Sequence, residues 1–197
     1  MSNDGVNAGR RRFLVAATSV VGAAGAVGVA VPFVGSWFPS AKAKAAGAPV
    51  KVNVSKVEPG QQIVAEWRGQ PVFVLNRTQE MLGGLDKHAA QLADPDSKDS
   101  VQPAYVNPEQ RSIKPELLVL VGLCTHLGCS PVFRPEVAPA DLGPEWVGGY
   151  FCPCHGSRYD LAGRVYKGQP APLNLPVPDY SYESNDVIVI GVAQEKV

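Results

Sequence analysis

The sequence lacks an excess of either charge. Its 197 residues include 18 basic and 18 acidic side chains, so the formal net charge is zero. No basic tract lies outside the N-terminal region, so the chain lacks the positive patch that binds the phosphates of nucleic acids. The acidic run from Asp94 to Asp99 is expected to form a solvated loop. We therefore predict no nucleic-acid partner.

Cysteine and histidine, the soft metal ligands, are also scarce. The chain has three histidines and four cysteines. All the cysteines and two of the histidines lie in two short boxes, Cys124–Cys129 and Cys152–Ser157. The third histidine, His88, is expected on the surface without a chemical role. A further mononuclear iron held by two histidines and a carboxylate is excluded, because only one histidine remains outside the boxes.

The pattern inside the boxes predicts the kind of metal site. Each box contributes one Cys and one His, in the pairs Cys124-x-His126 and Cys152-x-x-His155. Two thiolates on one iron and two imidazoles on the other form a Rieske [2Fe–2S] centre. The remaining Cys129 and Cys154 could then form a disulfide between the loops. Two alternatives stay open: a Cys2His2 zinc site, although this spacing is not a usual zinc knuckle, and two disulfides, which leave both histidines unexplained.

Two further segments accompany the boxes, Gly156-Ser157-Arg158-Tyr159-Asp160 and Gly168-Gln169-Pro170-Ala171-Pro172. With them, the chain closely resembles the Rieske iron–sulfur subunits of the cytochrome bc1 complex, ubiquinol–cytochrome c reductase. The resemblance runs from the N-terminal arginines to Ile190-Gly191. Gln169 is a departure, because the family's Gly-Pro-Ala-Pro loop is often written without a residue there.

The resemblance implies a role for the residues around the cluster. Ser157 would donate a hydrogen bond to a bridging sulfide and Tyr159 to a ligand thiolate, which favours the more negative, reduced form. His155 would contact the quinol. Docking to cytochrome b would involve three residues of the boxes: Leu127, Gly128 and Pro153. A loop covering the cluster would contain Gly168, Pro170, Ala171 and Pro172.

The implied function is electron transfer within a proton-translocating oxidoreductase. One Rieske-type [2Fe–2S] cluster per chain would accept an electron from ubiquinol at the quinol-oxidation site of cytochrome b. It would pass the electron to a c-type cytochrome of the same dimeric complex. The alternative is the Rieske small subunit of a periplasmic oxidase such as arsenite oxidase. A soluble Rieske ferredoxin fits less well, because such ferredoxins usually lack the extra cysteine pair and an anchor.

The N-terminal region lacks charge from Phe13 to Phe38. A helix from Phe13 to Val34 would be about 33 Å long, enough for a hydrocarbon core of about 30 Å. We predict a transmembrane anchor at residues 13–38, a cytoplasmic segment at residues 1–12 and a flexible tether at residues 39–49. Arg10-Arg11-x-Phe13-Leu14 resembles a twin-arginine export signal. Retention of the anchor is favoured, because the span is longer than the apolar part of a cleaved signal.

The remaining residues, 50–197, are predicted to form a head domain in the periplasm, attached by a single span to a bacterial inner membrane. The oxidising compartment would permit the disulfide. A helix is expected from Thr78 to about Leu92. The fold class is mainly β, an antiparallel β-sandwich with an inserted cluster-binding subdomain at about residues 122–175. The predicted strands are Val50–Val54, Pro71–Leu75, Leu117–Val121 and Val187–Val192.

Overall fold

The chain divides after Ala45 into two units. The structure, a computed structural model, describes residue 5 and residues 7–195. The segments predicted at residues 1–12 and 50–197 therefore lie partly outside the described residues. The predicted domain boundaries stay predictions.

A long helix, α1 (Ala8–Gly35), dominates the first unit. The side chain of Asn7 caps its start by accepting a hydrogen bond from the backbone N–H of Arg10 at 3.0 Å. The helix has 28 residues, about 42 Å at 1.5 Å per residue. By length and composition it could cross a membrane. It contains the predicted helix from Phe13 to Val34 and extends beyond it at both ends; the predicted span at residues 13–38 stays a prediction.

The end of α1 leads into the predicted tether. Pro32 does not end the helix, and the backbone N–H of Ser36 donates to its carbonyl at 2.9 Å. A short helix, α2 (Ala41–Ala46), follows, and the Ser40 hydroxyl caps it by accepting from the N–H of Ala43 at 3.1 Å. A helix of six residues is marginal by itself. The flexibility of the tether stays a prediction.

The second unit is built from antiparallel β-structure. Within residues 7–195, nine strands form three sheets of three strands. The strands are β1 (Val50–Asn53), β2 (Gln62–Trp67), β3 (Gln70–Asn76), β4 (Leu117–Val121), β5 (Val132–Arg134), β6 (Gly149–Phe151), β7 (Arg158–Tyr159), β8 (Tyr180–Tyr182) and β9 (Val187–Ile190). The strand orders in the sheets are β1-β9-β8, β2-β3-β4 and β5-β6-β7. The predicted mainly β, antiparallel fold is confirmed.

The first two sheets contain the strands that the sequence predicted. Strand β4 has the predicted bounds, and all of its residues are buried, as a continuous apolar run indicates. Strand β9 ends before the predicted Val192, because Gly191 adopts a left-handed φ of 93°. Strand β2 was not predicted, since Glu66 ends its apolar run after three residues. It pairs with β3 along its whole length.

The third sheet, β5-β6-β7, lies between β4 and β8 in the sequence. Its strand β6 is anchored in the core through Tyr150, whose ring stacks on that of Phe73 with centroids 5.5 Å apart. Both side chains are buried. Gly122, just after β4, leaves room for this stack, because a Cβ there would lie 2.4 Å from the Phe73 ring. In the sequence, strand β4 comes just before the first box, and strands β6 and β7 lie on either side of the second box.

The helical segment before the first box differs from the prediction. Helix α3 (Gln79–Gly84) is capped by Thr78, whose hydroxyl accepts from the N–H of Met81 at 3.3 Å. It ends at Gly84, and a separate 3-10 helix follows at Asp86–Gln91. The prediction of a single helix reaching about Leu92 was therefore wrong. Two adjacent glycines weaken the α-helix at this point. His88 is partly exposed, as expected, but its Nδ1 atom is enclosed, so the side chain is not fully solvated.

The acidic run that begins at Asp94 is not simply a solvated loop. The Asp94 side chain is buried. Its carboxylate accepts hydrogen bonds from the Ser100 hydroxyl at 2.7 Å and from the backbone N–H groups of Lys98 and Asp99 at 2.7 and 3.1 Å. The loop folds around this carboxylate because a buried charge needs several donors.

Candidate metal centre

The two boxes fold into equivalent loops. In the first, the backbone N–H of Gly128 donates to the carbonyl of Cys124 at 2.9 Å, and in the second Gly156 donates to Cys152 at the same distance. Both glycines adopt left-handed φ angles, 81° and 79°, which residues with a Cβ rarely adopt. The N–H of each cysteine then donates to the carbonyl after its glycine, at 2.7 and 2.8 Å. Each loop thus holds its first cysteine rigidly.

The predicted ligands form an inner and an outer pair. Cys124 and Cys152 are buried. His155 is exposed and His126 is partly exposed, and the centroids of their rings are 4.7 Å apart at an interplanar angle of 83°. The two thiols therefore point into the protein while the two imidazoles meet near its surface.

A disulfide between Cys129 and Cys154 joins the loops. The sulfur of Cys152 lies near it, all three sulfurs being within 4.8 Å of one another. These three cysteines are not a three-thiolate site, because two of the sulfurs are already bonded to each other. The free thiols in the described part of the chain are Cys124 and Cys152, which argues against a second disulfide.

Hydrogen bonds around Cys124 favour its thiolate. The hydroxyl of Tyr159 lies 3.1 Å from Sγ of Cys124 and accepts a bond from the N–H of Thr125 at 3.3 Å, so its own proton is free to face the sulfur. Burial alone would raise the pKa of the Cys124 thiol, but hydrogen bonds from Tyr159, the backbone of His126, Cys152 and Ser157 outweigh it and lower the pKa. Burial, and then Cys124, raise the pKa of Tyr159.

The environment of Cys152 acts in the opposite direction. Burial raises the pKa of its thiol, and the neighbouring Cys124 raises it further, although backbone N–H groups of the second loop oppose this. Two buried thiolates side by side repel each other. The pair is therefore suited to a bound cation that neutralises both sulfurs.

The predicted covering loop lies against the second box. Ala171 is buried, and its N–H donates to Oγ of the fully buried Ser157 at 3.1 Å. The other predicted loop residues are exposed on its outer side: Gly168, Pro170 and Pro172. Leu173, the next residue, accepts a bond from the Thr125 hydroxyl at 2.6 Å. The loop thus contacts both boxes.

Comparison with known families connects this geometry to a cofactor. A family model described as "Rieske [2Fe-2S] domain" matches residues 48–180. A second, described as "Ubiquitinol-cytochrome C reductase Fe-S subunit TAT signal", matches residues 1–40. The first covers more than half of the chain. The chain belongs to the Rieske iron–sulfur family.

Individual Rieske proteins are similar over nearly the whole chain. The ubiquinol–cytochrome c reductase iron–sulfur subunit of Allochromatium vinosum is 56% identical over 191 residues, covering 97% of this chain and 92% of that protein. The subunit of Blastochloris viridis is 43% identical, covering 96% and 97%. The mitochondrial Rieske subunit of the cytochrome b-c1 complex of Rattus norvegicus is 42% identical, covering 91% of this chain and 58% of the rat protein.

The match to the Rieske domain confirms the predicted fold and cofactor. The second match confirms the predicted twin-arginine signal. The cofactor is a Rieske-type [2Fe–2S] cluster, so the zinc alternative is not supported. The donor set of this structure fits that group, because two buried thiols face inward and two imidazoles face outward on loops joined by a disulfide. The named relatives also do not favour the periplasmic oxidase alternative.

The residues predicted to dock are exposed on the box loops. Leu127 is 71% exposed, and Gly128 and Pro153 are exposed near the histidines of their loops. All three residues are therefore accessible to a partner, and their docking role stays a prediction.

One residue of the site, Thr125, was missed in the sequence. Its hydroxyl donates to the carbonyl of Leu173 and its N–H donates to the Tyr159 hydroxyl, and its position between two predicted ligands was a usable signal. Gln169 was noted in the sequence, but its contact was not predicted. Gln169 accepts a hydrogen bond from the backbone N–H of Arg158 at 3.1 Å. Its contact could not be read from the sequence, because it depends on how the loop folds back.

Proposed function

We propose that this chain is the electron-transferring Rieske subunit of a ubiquinol–cytochrome c reductase. The observation that carries the proposal is the pair of imidazoles meeting near the surface above two buried thiols, in a chain 56% identical to such a subunit. A bound Rieske cluster supplies a one-electron carrier of relatively high potential, because neutral imidazoles replace two thiolates.

Four residues are proposed as cluster ligands. Cys124 and Cys152 would hold the inner iron, and His126 and His155 the outer one. The burial of the thiols and the exposure of the imidazoles support this division. The disulfide between Cys129 and Cys154 would hold the two ligand loops together.

Two buried hydroxyls are proposed to tune the site. Tyr159 directs its proton to the sulfur of Cys124, since its oxygen already accepts from Thr125. Ser157 accepts from the N–H of Ala171, so its proton is likewise free to face a sulfur. Donors to sulfur stabilise the more negative state and raise the reduction potential.

The exposed tip is proposed as the quinol and cytochrome b contact. An imidazole bound through one nitrogen keeps the other for hydrogen bonding. With that second nitrogen deprotonated, His155 would accept a hydrogen bond, and then the proton, from a ubiquinol hydroxyl. Leu127, with Gly128 and Pro153, would form the apolar contact with cytochrome b. Ala171 and its loop would keep water from the buried side of the site.

The N-terminal unit is proposed to anchor the subunit. Helix α1 would cross the bacterial inner membrane once, with Arg10, Arg11 and Arg12 on the cytoplasmic side, as the positive-inside rule expects. The head would lie in the periplasm. Its tether, residues 39–49, would let the head move between cytochrome b and a c-type cytochrome of the dimeric complex.

The proposal is tested in membranes of cells that express the chain. Mild reduction with ascorbate should produce a rhombic EPR signal, and detergent extraction should recover the chain with b- and c-type haems. Leu127→Asp should keep the EPR signal and lose quinol-dependent cytochrome c reduction. Val64→Asp is the control, because Val64 is 60% exposed on β2, and it should keep both.

Three results would count against the proposal. A purified chain that contains zinc has no electron carrier. Recovery in the soluble periplasmic fraction with an oxidase subunit would favour the alternative. Full activity of Leu127→Asp would remove the proposed docking contact.

A further inference from the structure

Gln169 lies in the covering loop and reaches back to the segment that follows the second box. Its side-chain Oε1 accepts a hydrogen bond from the backbone N–H of Arg158 at 3.1 Å. The side chain is partly buried and forms part of the wall of a groove of about 350 Å³, together with Arg158 and Gln91.

The backbone N–H of Arg158 points toward the covering loop, where the Gln169 side chain is its acceptor. The carbonyl of Arg158 accepts from the N–H of Tyr166 at 3.2 Å. In a strand the N–H and carbonyl of one residue point to the same side, so this N–H faces away from β6 and toward the loop. The chain turns at Gly168, which has a left-handed φ of 71°. The amide of Gln169 then takes the place of a backbone acceptor.

A second bond connects the same two segments. The N–H of Ala171 donates to Oγ of Ser157 at 3.1 Å. Gln169 and Ala171 on the loop are therefore bonded to Arg158 and Ser157, which are adjacent in the chain. If the loop shifted at the bond between Gln169 and Arg158, the bond between Ala171 and Ser157 would shift as well. The Ser157 hydroxyl, which is fully buried, would then lose its fixed orientation.

We propose that Gln169 is a positioning residue of the cluster site. Through the N–H of Arg158 it fixes the loop that orients the Ser157 hydroxyl, and it thereby helps to set the reduction potential. It does not touch the reacting atoms. The inference rests on the proposed function, because it requires a bound cluster.

The first test measures the reduction potential of the full chain in membranes by EPR-monitored redox titration. Gln169→Leu removes the acceptor at similar volume. We expect the equilibrium constant for reduction to fall about threefold, or about 28 mV for a one-electron couple. Gln91→Leu is the control, because the same change in the same groove removes no described hydrogen bond, and its potential should equal that of the wild type. An unchanged potential in Gln169→Leu overturns the inference.

The second test asks whether Gln169 acts through Ser157. In a Ser157→Ala background, Gln169→Leu should lower the potential no further, whereas an equal additional fall would overturn this route. Gln169→Asn keeps the amide but shortens its reach, and should give a smaller fall. If Gln169→Leu assembles no cluster, Gln169→Ala replaces it, because that change also removes the acceptor, and an unchanged potential in Gln169→Ala overturns the inference.

Failure of the proposed function and failure of the role of Gln169 give different results. A wild-type chain without the rhombic EPR signal contradicts the proposed function. If the wild-type chain shows the signal but the variants at position 169 have the wild-type reduction potential, only the role of Gln169 is contradicted.

Discussion

The hydroxyl of Tyr159 lies 3.1 Å from Sγ of Cys124, within reach to donate a hydrogen bond to a thiolate there. Tyr159→Phe removes this donor and should lower the reduction potential while the cluster still assembles. A loss of about 1 kcal/mol, the net value of one hydrogen bond, corresponds to about 40 mV for one electron. Redox titration measures the shift. Tyr166→Phe is the control, because the Tyr166 hydroxyl has no hydrogen-bond partner in the described structure, and a similar fall there would refute the specific role.

The ion pair between Arg164 and Asp160 lies beneath the second box. Its Nε–Oδ2 distance is 2.7 Å, and the side chains are 2% and 5% exposed. Arg164→Met leaves a buried, unpaired carboxylate and should lower the free energy of unfolding by about 3–5 kcal/mol. Thermal loss of the cluster's visible absorption follows the effect. Lys98→Met, which breaks a single exposed ion pair with Asp96, should change little. Equal midpoints for the two variants would contradict the prediction.

Asp94 should make stability depend on pH. Burial alone would raise its pKa, but hydrogen bonds from Ser100 and from the backbone of Lys98 and Asp99 lower the pKa below its usual value. A lowered folded-state pKa stabilises the fold above the unfolded pKa of about 3.9, and this contribution is lost as the pH falls through the folded-state pKa.

The Asp94→Asn variant tests this sign. It should melt at a lower temperature than the wild type at pH 6, and the difference should shrink as the pH falls below about 4. Melting curves across this range provide the measurement. Asp96→Asn in the same loop is the control, because Asp96 is exposed. A difference that grows in acid would show that the sign is wrong.

Gly122 should tolerate no side chain. A Cβ there would lie 2.4 Å from the ring of Phe73, which stacks on Tyr150. Gly122→Ala should therefore cost about 1–3 kcal/mol of stability through overpacking. Gly83→Ala in α3, where a Cβ would meet nothing within 4 Å, should be neutral or stabilising. Thermal melting compares the two, and equal midpoints would mean that Phe73 moves aside freely.

Much of this molecule could be predicted from its sequence, because the informative residues are chemically rare. Four cysteines and two histidines in two boxes predicted the cofactor, which the family match confirms. The apolar run of β4 predicted a buried strand with its observed bounds. The proposed roles of the individual site residues stay predictions.

The features that were missed depend on tertiary contacts. Strands β5, β6, β7 and β8 have two or three residues each, too few for a periodic pattern to show. The burial of Asp94 depends on a loop that closes around it, and the contact of Gln169 depends on a loop that returns. Neither is visible in a local pattern of charge or hydrophobicity.

The equivalent closure of the two box loops has a consequence for speed. Each loop is locked by its own left-handed glycine, and a covalent bridge ties one to the other. Groups held in this way cannot shift far when the charge between them changes by one electron, so little rearrangement has to precede each transfer.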